Sequence, residues 1–295
     1  MSGASGAVNA SSPPSVAAEP VGYLARLDAR VAAVGSALCL GVDPDPAALP
    51  AGFSQDLAGI ERFARLLLDA GAPHAAAVKF NLAFYEAYGS AGVAALERLR
   101  ARVPADLPFI ADAKRGDIGP TVARQAVALF DALGADAITV NPYLGRDVLE
   151  PFFARTDRFA YVLCRTSNDG AAEFQALAVD GRPLYLAVAE RVAAWSDSGA
   201  PVGLVVAANA PSEMVLVRAT APGLAFLVPG MGAQGGDADA VLASGPATAA
   251  PGGLVRGGAL LVNVSRAIAS AALGAADPGS AMDAAARRWA RLLQC

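Results

Sequence analysis

Cysteine is scarce in this chain. Its three copies, Cys39, Cys164 and Cys295, are far apart and odd in number among 295 residues. They form no disulfide framework and no metal-ligating spacing, so the expected compartment is a reducing one, the cytoplasm. Histidine is scarcer still. The single His74 precedes the second candidate strand, away from the strand ends, and reads as a surface residue. Catalysis by a Ser/His or Cys/His pair then lacks its base. Charged residues make up only 17%, the net charge is −4 and no basic tract stands out, which argues against a nucleic-acid surface. Mean hydropathy is positive at +0.41. Even so, no apolar run reaches the roughly 18 residues that a membrane span requires. Residues 1–20 are rich in Ser, Ala, Gly and Pro and carry no basic leader. They read as a disordered tail rather than a signal peptide.

What the chain does have is apolar material, 55% of its residues, enough for a large core. Short apolar, β-branched runs recur at 37–42, 75–80, 109–113, 137–140, 160–164, 202–207, 225–228 and 259–262. Between them lie stretches with apolar residues at i, i+3 and i+4, the mark of amphipathic helices. They span 60–70, 91–102, 121–133, 147–155, 184–195 and 212–219. An extra helix over 21–34 precedes the first strand, and one over 280–293 closes the set. The seventh helix has no clear signal: Gly235–Gly253 is full of Gly, Ala and Pro and reads mostly as loop. Alternating strands and helices imply a parallel sheet. Eight repeats favour a closed (β/α)8 TIM barrel with an extra N-terminal helix, forming one catalytic domain over 21–295.

Nearly every candidate strand ends in a polar cluster. In such a barrel the strand C-termini ring one mouth, where active sites sit. The sharpest cluster is Phe109-Ile-Ala-Asp-Ala-Lys-Arg-Gly-Asp-Ile-Gly-Pro-Thr121. Residues two apart share a strand face, so Asp112 and Lys114 point the same way, and Asp117 falls on the following turn. Carboxylates bracketing an ammonium at the end of a buried strand are costly unless well paired, and such clusters tend to mark chemistry. Lys114 is the natural proton donor. A structural ion-pair network and a Mg2+ site on Asp112 and Asp117 are the alternatives; an ammonium between the two acids counts against the metal.

Lys79 ends an apolar strand and must find a carboxylate or solvent: it pairs with Asp112 or with a ligand, or snorkels at the rim. Asp43 before Pro44 suits a sugar hydroxyl or a turn. Thr166, Ser167 and Asn168 follow the fifth strand and could face a planar polar ligand or form a simple turn. The Gly-rich loop Val228-Pro-Gly-Met-Gly-Ala-Gln-Gly-Gly-Asp237 follows the seventh strand, and Asn263-Val-Ser-Arg-Ala-Ile268 the eighth. Loops after these two strands are where this fold commonly holds phosphate, and arginine grips that group with two donors.

These motifs together resemble the orotidine 5′-phosphate decarboxylases, in their longer bacterial (type 2) branch. The shared series is Gly41-Val-Asp43-Pro, Val78-Lys79-Phe-Asn81, Asp112-Ala-Lys114-Arg-Gly-Asp117-Ile-Gly-Pro-Thr121, Pro229-Gly-Met-Gly-Ala-Gln234 and Ser265-Arg266. The Asp-x-Lys-x-x-Asp element also occurs in related sugar-phosphate decarboxylases and synthases. The resemblance implies conversion of orotidine 5′-phosphate to UMP and CO2, the last step of UMP synthesis, without metal or organic cofactor. It implies an alternating charge network of Lys79, Asp112, Lys114 and Asp117. Asp117, Ile118 and Thr121 would reach across a homodimer into the partner's site. Asp43 and Lys79 would contact the ribose, and Ser167 or its neighbour Thr166 the pyrimidine. Pro229, Gln234, Ser265 and Arg266 would form the phosphate side, with Ser265 standing where many relatives carry Gly. A metal-dependent enzyme acting on a keto-sugar phosphate and a catalytically silent nucleotide-binding barrel remain as alternatives.

Overall fold

In the computed structural model the described residues are 22–232, 234–249 and 255–295. The expected tail at 1–20 lies outside them. Eight parallel strands close into a barrel. They are β1 (Leu38–Gly41), β2 (Ala77–Asn81), β3 (Phe109–Arg115), β4 (Ala137–Val140), β5 (Phe159–Arg165), β6 (Val202–Val206), β7 (Phe226–Val228) and β8 (Leu260–Val264). Each pairs with its sequence neighbours, and β8 closes the ring against β1. This is a (β/α)8 barrel; the strand ends differ from expectation by one or two residues, and one shift matters for the site. β3 runs on to Arg115 instead of stopping at Ala113, so Asp112 and Lys114 both lie inside the strand.

Strand alternation sorts the apolar side chains into two cores. Outward residues such as Leu38, Val78, Ile138 and Val262 pack against the surrounding helices. Inward residues such as Cys39, Ala77, Ile110, Ala137, Tyr161 and Leu261 fill the barrel. The bottom is plugged by helix Tyr23–Val34, which buries Tyr23, Leu27 and Val31 at the i, i+4, i+8 spacing of one helical face. Tyr23 stacks on Phe159 at 5.0 Å between ring centroids, and its hydroxyl lies 3.1 Å from that of Tyr161. These aromatics fill the floor of the barrel between the strand N-termini.

The outer helices depart from expectation in two places. The segment after β7 contains a short helix, Ala238–Ser244, where loop was expected. Asp237 caps it by accepting from the backbone N–H groups of Asp239 and Ala240. The expected helix over 121–133 is α-helical only over Pro120–Ala126 and continues as a π-helical turn, Val127–Ala132. His74 is not free on the surface: its Nε2 lies 2.7 Å from Oδ1 of Asp283 and ties the start of β2 to helix Pro278–Leu292. No helix among the described residues is long and apolar enough to cross a membrane.

Candidate active site

The inward-facing ends of β1, β2 and β3 bring alternating charges together. Lys79 is 4% exposed, and its Nζ lies 3.0 Å from Oδ2 of Asp112 and 3.7 Å from Oδ2 of Asp43. The Nζ of Lys114 takes the other oxygen of Asp112 at 2.7 Å. Asp43 is held in turn by the backbone N–H of Asn81, which donates to its Oδ1 at 2.9 Å. The order is Asp43, Lys79, Asp112, Lys114, a chain of opposite charges that runs through the buried Lys79 and ends on the half-exposed Lys114.

Burial shapes these charges as much as proximity does. Desolvation alone would push the Asp112 carboxyl upward, but Lys79, Lys114 and the Thr139 hydroxyl more than reverse it and hold it well below the usual carboxylate range. For Lys79, burial favours the neutral amine, and the carboxylates of Asp112 and Asp43 overcome that and raise it above an ordinary lysine. Both groups are therefore charged at neutral pH. Cys39, fully buried one strand away, has its thiol pushed up to about 12 by burial, so it is no nucleophile.

Lys114 reaches Asp112 through an irregular backbone. Its φ is +46°, in the region that favours glycine. Between β3 and β4 the register runs from Ala111 opposite Ile138 to Arg115 opposite Val140, so β3 carries a bulge here. Simple alternation foresaw that Asp112 and Lys114 meet; it did not foresee the bulge.

The mouth has two lobes that share Lys79, Asp112 and Pro229 as a common wall. One, of about 520 Å³, is lined by Asp43, Asn81, Gln234, Asn263, Ser265 and Arg266, with Phe63, Phe84 and Leu273 among its apolar residues. The other, of about 460 Å³, holds Lys114, Thr139, Thr166, Ser167, Asn168 and Gln175, with Leu163, Val205 and Leu227 as apolar surface. Gly230, at φ +95°, sits where the lobes meet. A Cβ there would come within 3.2 Å of the Ser167 Cβ and 3.4 Å of Oε1 of Gln234. Arg266 lines the first lobe. The site thus offers a cation for an anion at one end and a partly apolar lobe beside an ammonium at the other.

Not every expected residue joins it. Asp117 is half-buried and accepts from the N–H of Ile118 at 2.7 Å; it lines neither lobe. Within one chain Lys114 has Asp112 as its carboxylate and is not bracketed by Asp117. Ile118 is 63% exposed, and neither it nor Thr121 lines a lobe.

Two site residues, Thr139 and Gln175, escaped the sequence reading, and a third, Asn263, stood there only as part of the cluster after the eighth strand. Thr139 donates to Oδ1 of Asp112 at 2.8 Å; a lone Thr in the strand Ala137–Val140, at an inward position, was its only signal. Gln175 braces Thr166, accepting from its N–H at 2.9 Å and donating to its hydroxyl at 2.7 Å. Nothing local links residues nine apart across a loop. Asn263 is 8% exposed and lines the first lobe with its Oδ1 lacking a partner among the described residues. A polar atom left so inside a protein costs about 1–3 kcal/mol.

A family model, that of the orotidine 5′-phosphate decarboxylase / HUMPS family, matches residues 36–284. The chain belongs to this family. Among its relatives, the orotidine 5′-phosphate decarboxylase of Thermomicrobium roseum is 48% identical over 266 residues, covering 89% of this chain and 92% of that protein. The protein of the same name from Natronomonas pharaonis is 46% identical over 269 residues, covering 89% and 93%. Among solved structures, the OMP decarboxylase of Leishmania donovani superposes with a TM-score of 0.77 at 37% identity, covering 93% of this chain and all of that one. The family match spans all eight barrel strands and both lobes of the mouth.

Proposed function

We propose that this protein decarboxylates orotidine 5′-phosphate to UMP and CO2, completing UMP synthesis, with Lys114 as the proton donor. The observation that carries the reading is the charge chain Asp43, Lys79, Asp112, Lys114, opening on a lobe that also presents Gln234, Ser265 and Arg266. The phosphate lies against Gln234, Arg266 and the backbone near Ser265, beside Pro229. The ribose lies over Asp43 and Lys79. The pyrimidine enters the second lobe against Ser167 or Thr166, which places its C6 side toward Asp112 and Lys114.

The chemistry asks for charge rather than a cofactor. When the C6 carboxylate leaves as CO2, the electron pair of the broken bond stays on C6 in the ring plane, where the π system cannot take it up. A fixed ammonium near C6 stabilises that pair more than it stabilises the substrate, which is where catalytic binding energy counts. The proton of Lys114 Nζ then moves to C6, and solvent returns one to the half-exposed amine. Asp112 stays ionised and holds Lys114 in place. Its two oxygens are already taken by ammonium groups, so a Mg2+ ion would have to displace one of them. Binding of the remote phosphate supplies energy to organise the mouth.

The active unit in this reading is a homodimer in a reducing cytoplasm. Asp117, Ile118 and Thr121 stand outside their own chain's lobes, and Ile118 is 63% exposed, as residues offered to a partner would be. The test is the ultraviolet absorbance of orotidine 5′-phosphate incubated with purified protein, with and without EDTA. Loss of the orotate absorbance at equal rates, with UMP as product, is expected. An EDTA-sensitive rate on a keto-sugar phosphate, with no change in the orotate nucleotide, would replace the reading with the metal-dependent one.

A further inference from the structure

Thr139 occupies an unusual position in the barrel. It is 2% exposed and sits on β4 opposite the bulge in β3. From Ala111 to Arg115, β3 advances four residues while β4 advances only from Ile138 to Val140. The ladder resumes beyond the bulge, where the N–H of Asn141 donates to the carbonyl of Arg115 at 2.8 Å. Inside the bulge, the N–H of Lys114 donates to Oγ1 of Thr139 at 2.9 Å. The same hydroxyl spends its proton on Oδ1 of Asp112 at 2.8 Å, the oxygen that Lys114 Nζ meets at 2.7 Å.

A hydroxyl has one proton to give and lone pairs to accept with. Here both capacities are used on the two ends of one lysine. The accepting side holds the Lys114 backbone, and the donating side holds the carboxylate that holds the Lys114 ammonium. Lys114 needs such support because a side-chain-bearing residue at φ +46° is strained and persists only where its surroundings dictate it.

We propose that Thr139 is a positioning residue for Lys114: its hydroxyl closes a ring through Asp112 that fixes both the backbone and the ammonium of the proton donor. The proposal rests on the decarboxylase reading above and deepens it. The ring sets where Nζ stands relative to the reacting carbon, so its loss acts on the chemical step and not on nucleotide binding.

The test compares Thr139→Val, which keeps the shape and removes the hydroxyl, with Thr139→Ser, which keeps the hydroxyl. An atomic-scale misplacement costs on the order of 100-fold in rate. Thr139→Val is therefore expected to lose about that much kcat with KM changed less than about threefold, while Thr139→Ser keeps most of the wild-type rate. A folded Thr139→Val with wild-type kcat overturns the proposal, and so does a Thr139→Ser as impaired as the valine variant. If the valine variant does not fold, amide hydrogen exchange in the wild-type protein decides. A protected Lys114 N–H supports the ring, and exchange at a loop rate contradicts it. Failure of wild-type protein to turn over the orotate nucleotide would sink the decarboxylase reading, while exchange at Lys114 would still report on the ring.

Discussion

Lys114 meets Asp112 at 2.7 Å from a backbone turned to φ +46°. Side chain and main chain therefore pull in different directions on stability: the ion pair favours lysine, and the backbone favours glycine. The two can be separated. Lys114→Gly and Lys114→Ala both lose the ammonium, but only the alanine variant keeps a Cβ at this φ. We expect the glycine variant to be more stable than the alanine variant by about 1 kcal/mol, read as a difference in denaturant midpoint at equal m-value. Equal midpoints would mean that the bulge carries no strain.

Asp112 is held well below the usual carboxylate range, so its contribution to stability has a definite pH window. A depressed carboxyl stabilises fully above its unfolded value, about 3.9. It loses that contribution as pH falls through its lower folded value. Wild-type stability should therefore fall on acidification below about pH 4, and Asp112→Asn should flatten that part of the curve. At neutral pH the substitution leaves the buried Lys79 with Asp43 alone, at 3.7 Å, and should cost about 3 kcal/mol. Parallel acid unfolding curves for the two proteins would contradict the pairing.

Arg266 faces the first lobe far along the mouth from Lys114, and the two residues share no lobe. Arg266→Ala should raise KM by roughly 10- to 100-fold through loss of a charge-assisted phosphate contact, with a smaller effect on kcat. Steady-state kinetics on the orotate nucleotide check this. An unchanged KM would put the phosphate elsewhere.

A shared site has a genetic signature. Lys114→Ala and Asp117→Ala chains are each expected to be inactive alone. Mixed and reassociated, they rebuild one intact site in each heterodimer, and about a quarter of the wild-type sites return when association is random. No recovery in a mixture shown to contain heterodimers would argue against exchange of Asp117 between subunits.

The fold was legible because period-2 and period-3.6 apolar patterns are strong over 30-residue repeats, and all eight strands lie where those patterns put them. The short helix Ala238–Ser244 was not, because its Gly- and Ala-rich surroundings mask a capping Asp237. The charge chain could be read in part. Asp112 and Lys114 share a face by alternation, and Lys79 had to find a carboxylate. Asp112 could be named as its partner from the sequence; the β2–β3 register that brings the two to 3.0 Å, with Asn81 opposite Asp112, is a tertiary property. Thr139 was illegible for the same reason: its hydroxyl matters only because a bulge on another strand brings the Lys114 N–H to it.

The most direct measurement is single-turnover decarboxylation by Lys114→Ala protein, beside a titration of the same preparation with UMP. Retained UMP binding with a rate lower by roughly a thousandfold or more is expected if Lys114 supplies the charge and proton at C6. A Lys114→Ala protein that binds UMP and decarboxylates within about tenfold of the wild-type rate would contradict the account, because a proton donor at C6 is worth more than that.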